Sequence, residues 1–72
     1  MMLNTIIFHL NKMALNKQWD TFRAVIALID PIVVRNIFSE ILDILHINGN
    51  DEMGARLWRQ YVCSNMVVIA GV

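Results

Sequence analysis

Glu40, Asp43 and His46 stand three residues apart, in a stretch whose pattern is helical, so one face carries two carboxylates and an imidazole. A carboxylate three positions before a histidine is a spacing that metal-holding helical bundles use, with both side chains aimed inward and further ligands from other helices. Here the three residues fall on the polar strip of an amphipathic helix. The spacing therefore predicts a wet face, with no metal or cofactor bound. Cys63 is the single cysteine, and a cysteine nucleophile needs a base such as His46 beside it. Nothing in the spacing joins the two, so no catalytic residue is assigned and the chain reads as non-enzymatic. His9 lies among apolar neighbours and is expected to be a partly exposed histidine.

The stretch "HINGNDEMGARLWRQYV" (46–62) has the order of a helix-turn-helix: a helix, a turn with glycine, then a helix carrying Arg56, Arg59 and Gln60. Its details fit poorly. The position four before Gly49, where a small side chain lets the helices cross closely, is Leu45, and the usually apolar position after Gly49 is Asn50. Asp51 and Glu52 at the start of the second helix would repel phosphates. A small DNA-binding regulator using the 31–64 hairpin is thus the alternative reading. The same segment supplies Trp58 and Tyr61, and Trp, Tyr and Arg concentrate binding energy in protein interfaces. Trp19, Phe22, Phe38, Leu42, Trp58 and Tyr61 are the candidates for core or interface, and the sequence does not divide them.

The elements that position these residues follow from the punctuation. Proline at a first helical position loses no hydrogen bond, and an aspartate before it caps free amides, so Asp30-Pro31 separates two helices. Gly49 marks the next stop, because glycine takes the left-handed conformation cheaply. The central helix is expected over 31–47. At about 100° per residue its polar residues Arg35, Asn36, Ser39, Glu40, Asp43 and His46 share an arc of roughly 140°. Val33, Val34, Ile37, Phe38, Ile41, Leu42, Ile44 and Leu45 fill the opposite half, and Ile32 and Ile47 stray at the ends. An apolar arc that wide calls for at least two neighbours.

The last helix is expected over 51–64, capped by Asn50 or Asp51. Upstream, Leu3, Ile6, Ile7, Leu10, Met13 and Ala14 form one helical face, and Trp19, Phe22, Val25, Ile26 and Ile29 another, rotated by about 110°. A bend near 15–18, with Asn16 capping the second helix, reconciles them. The competing solution is one long helix with Phe8, Leu15, Phe22 and Ile29 recurring every seven residues. Residues 1–12 and 65–72 are expected to be peripheral.

The fold class is therefore all-α: one small domain over 1–72, a compact bundle of three to four helices. The chain of 72 residues is 57% hydrophobic and 17% charged, with charges that cancel. A domain this small buries only roughly 60% of its unfolded surface, and so much apolar surface at zero net charge favours association. A lone cysteine fits a reducing, cytoplasmic setting. Zero net charge argues against broad nucleic-acid binding. No apolar run is long and charge-free enough to span a membrane. The first dozen residues carry one lysine, which gives little pull toward anionic lipid; a membrane-surface-active amphipathic protein is the further alternative. The expected function is a protein–protein interaction or regulatory module that self-associates, as a homodimer or higher oligomer, and engages another protein. Its short length suits a viral or phage accessory protein.

Overall fold

The computed structural model describes residues 2–63, with side chains from residue 4 onward. They form α1 (Met2–Leu15), α2 (Trp19–Leu28), α3 (Pro31–Asn36), α4 (Phe38–Ile47), α5 (Asp51–Trp58) and a closing π-helical turn, Arg59–Cys63. No strand occurs among the described residues. The expected all-α bundle is what forms.

Two turns of the same construction redirect the chain. After α1, Gln18 N–H donates to the Met13 carbonyl at 2.9 Å and Lys17 N–H to the Ala14 carbonyl at 3.0 Å. After α4, Asn50 N–H donates to the Leu45 carbonyl at 2.8 Å and Gly49 N–H to the His46 carbonyl at 3.0 Å. Both are Schellman stops, which satisfy the last carbonyls of a helix through one left-handed residue. That residue is Gly49 (φ 76°) in the second and Lys17 (φ 58°) in the first. The expected bend at 15–18 is present, but Asn16 does not cap α2. The residue before α2 is Gln18, whose side chain makes no capping bond. The other caps are as read: Ile32 N–H donates to Asp30 Oδ1 at 2.9 Å, and Met53 N–H to Asn50 Oδ1 at 3.2 Å.

The central helix is not continuous. It breaks at Ile37 (φ −107°, ψ 18°) into α3 and α4. Ile37 N–H still reaches the Val33 carbonyl at 3.1 Å, and Ile41 N–H the Ile37 carbonyl at 3.1 Å, so the bend leaves its own backbone groups paired. The physical reason is the wide apolar arc. A straight rod would leave one flank uncovered; the broken one sets α3 against the closing turn while α4 packs between α1 and α5. Val34, Ile37, Phe38, Ile41, Ile44 and Leu45 are all buried as a result.

Leu10 and Ala14 from α1, Phe22 and Ile26 from α2, Met53 and Leu57 from α5, and Tyr61 complete the core. Over its described part the 1–12 segment is thus no loose extension: Leu10 is fully buried, and Ile6 and Ile7 pack against the core. The last helix keeps α-geometry only to Trp58, and the wider π-turn carries Tyr61 inward. Ser64, and the 65–72 segment read as peripheral, lie outside the described residues. No described helix is long and apolar enough to cross a membrane.

Candidate interaction surface

Gly54 sets how closely α5 lies on α4. A Cβ at this position would stand 3.2 Å from Leu42 Cδ2 and 3.8 Å from Leu45 Cδ1. The small residue that the helix crossing requires is therefore on α5, not at position 45. Along this seam Asp51, Ala55 and Trp58 from α5 face Leu42, Asp43 and His46 from α4, and Gly54 forms the floor of a groove of about 430 Å³.

Trp58 is the main apolar wall of the groove. Its ring is 6.0 Å from that of Phe38, which in turn lies 6.4 Å from Tyr61. One side of the indole thus rests on the core while the residue stays 45% exposed. At the turn end, His46 Nδ1 donates to Asp51 Oδ1 at 2.9 Å. This bond and the charge of Asp51 raise the His46 pKa above its ordinary 6.5, against a small opposing desolvation, and Asp43 adds in the same direction. When His46 is protonated the pair also joins a cation at the end of α4 to an anion at the start of α5, as both helix dipoles favour. Asp43 makes no hydrogen bond or ion pair among the described residues. The groove has an apolar floor and a rim of two carboxylates, Asp43 and Asp51, with the His46 imidazole.

The structure divides the six aromatic and aliphatic candidates. Phe22, Phe38 and Tyr61 are buried in the chain's own core, so none is open to a partner. Trp19 and Leu42 are half-buried, with Trp19 edge-on to Phe22 at 5.8 Å. Trp58 alone of the six is exposed. Arg56, Arg59 and Gln60 are all exposed, but Arg56 lies 3.5 Å from Glu52 one turn earlier. Gln60 lines a second cavity of about 400 Å³ with Asp20, Arg23 and Tyr61, between α2 and the closing turn. His46 is engaged with Asp51 rather than with Cys63.

The interface candidates read from the sequence do not include the most exposed large apolar residues among those described: Phe8, Leu15, Leu28, Ile32 and Ile47. Their signals were present. Ile32 and Ile47 lie off the apolar arc, and Phe8 and Leu15 are seven apart on the side of α1 opposite Leu10 and Ala14. The chain matches no protein-family model, no curated protein and no solved structure.

Proposed function

We propose that the chain is a non-enzymatic protein–protein interaction module that self-associates through apolar helix faces as a dimer, leaving other surface for a second protein. The reading rests on where the leftover apolar surface lies. The core needs no second copy, because the break at Ile37 lets one chain cover the wide arc of its central helix. Exposed apolar residues stand singly at helix ends (Leu28, Ile32 and Ile47), whereas on α1 Phe8 and Leu15, 61% and 64% exposed, share one outward stripe, and Trp58 is open in the groove. Single exposed apolar residues are ordinary. Two aligned on one stripe, on a chain with no net charge to keep copies apart, favour association. The lone cysteine suits a reducing cytoplasm.

A folded state that associates gains stability by mass action, so its unfolding midpoint depends on chain concentration. Melting at concentrations about a hundredfold apart is expected to give a higher midpoint, by several degrees, in the concentrated sample. Coincident midpoints would overturn the reading.

A further inference from the structure

We propose that the occupant of the α4–α5 groove is the outer face of α1 from a second copy, with Phe8 and Leu15 against Trp58 and Leu42, and Lys12 against Asp43. This rests on the self-association proposed above and names its two surfaces. The two surfaces are complementary in charge and in apolar pattern. On α1, Lys12 lies between Phe8 and Leu15 on the exposed side, and residues 2–15 contain no carboxylate. Across the groove the pattern is reversed: Leu42 and Trp58 are apolar, and two carboxylates, Asp43 and Asp51, stand against the single imidazole of His46, with no lysine or arginine in the lining. Asp51 is already engaged by His46, which leaves Asp43 as the open carboxylate. Neither the Lys12 amine nor the Asp43 carboxylate makes a hydrogen bond or an ion pair among the described residues of one copy, and Asp43 acts on His46 only through its charge. Each surface thus presents an apolar anchor beside one unpaired charge, and the charges are opposite.

The contact joins two different patches. A two-fold pair therefore makes it twice, each α1 seated in the other copy's groove. Like charges brought together at such a contact oppose binding, whereas exchanging both charges preserves the match.

The test uses Lys12→Glu and Asp43→Lys, both at exposed positions, with circular dichroism to verify that each variant keeps the helicity of the parent. Association is read by light scattering and by the emission of Trp58, against a Trp19→Phe background that removes the other indole. Each single variant is expected to associate at least about tenfold more weakly than the parent. An equal mixture of the two should recover association to within about threefold. In the mixed pair one contact keeps the native lysine and aspartate, and the other carries both substitutions, so each again joins opposite charges. The Trp58 emission should shift to the blue in the mixture and in neither variant alone. Two outcomes overturn the proposal, and they are distinguishable. If the parent associates and both variants do so equally well, the surfaces are wrong while self-association stands. If the parent itself stays monomeric, the self-association reading falls and this contact with it.

Discussion

Lys17 Nζ donates to the carbonyl of Asn48 at 3.0 Å, and so ties the turn after α1 to the turn after α4. The two residues are 31 apart in sequence. Both occupy helix stops of the same type, and the lysine brings a cation to the carbonyl end of α4, where the helix dipole favours it. The same amine stands 5.8 Å from the centre of the Trp19 ring. The residue that takes the strained left-handed conformation is thus also the one that links the two corners of the bundle.

This double role separates two substitutions. Lys17→Ala removes the amine but keeps a Cβ at φ 58°, so it loses the link and retains the strain. It is expected to destabilise by about 0.5–1 kcal/mol, the modest scale of an exposed charged contact. Lys17→Gly loses the same link and relieves the backbone, so it should be more stable than Lys17→Ala by about 1 kcal/mol. Urea denaturation of both variants checks the order; Ala at or above Gly would contradict the left-handed stop.

Gly54→Ala places a methyl 3.2 Å from Leu42 Cδ2, the far end of a half-buried side chain that borders the open groove. Leu42 has room to yield by a few tenths of an ångström. Alanine is favoured over glycine within a helix by about 1 kcal/mol. The expected net result is stabilisation by about 0.5 kcal/mol, less than propensity alone would give. Gly54→Val adds branched bulk against Leu42 and Leu45 and is expected to destabilise by about 2 kcal/mol through helix separation. Thermal melts of the two variants should move in opposite directions.

The His46–Asp51 pair makes stability depend on pH. The folded-state pKa of His46 is raised, so the folded chain holds its proton more tightly than the unfolded chain does. The stabilisation is complete below the unfolded value of about 6.5, declines as pH rises above it, and is gone once pH passes the raised folded value. Unfolding midpoints measured across this window should fall as pH rises, and His46→Gln should remove that part of the slope. A midpoint difference between parent and His46→Gln that grows with rising pH would contradict the pairing.

Arg56 and Arg59 offer a separate test of the nucleic-acid alternative. Asp51 and Glu52 crowd the entrance of α5, and Glu52 lies against Arg56. The expectation is no duplex DNA binding that weakens steeply with salt. Fluorescence anisotropy with labelled duplex, at low and moderate salt, measures it. Salt-dependent binding that Arg56→Ala with Arg59→Ala abolishes would favour the regulator reading.

The parts of this fold that were legible in sequence are those enforced by local chemistry. Asp30-Pro31, Gly49 and Asn50 each have a backbone reason to stand at a helix end, and each does so. What escaped was decided by packing at a distance. Ile37 carries no breaker signal, yet the helix bends there because the wide apolar arc must meet neighbours on two flanks. Lys17 takes the left-handed position beside an asparagine better suited to it, because the buried face of α1 ends at Ala14 and the stop is counted from there. The division of the aromatic residues was equally hidden. Phe38, Trp58 and Tyr61 form one cluster, but only the π-turn and the close crossing at Gly54 settle that Tyr61 points in and Trp58 remains open.

The most direct measurement is the mass of the parent chain in solution, by light scattering coupled to size exclusion, from low to high micromolar concentration. One copy whose inside is already complete, with spare apolar surface on α1 and at Trp58, should move toward twice 8.3 kDa as concentration rises. A mass that stays at 8.3 kDa throughout would contradict the account.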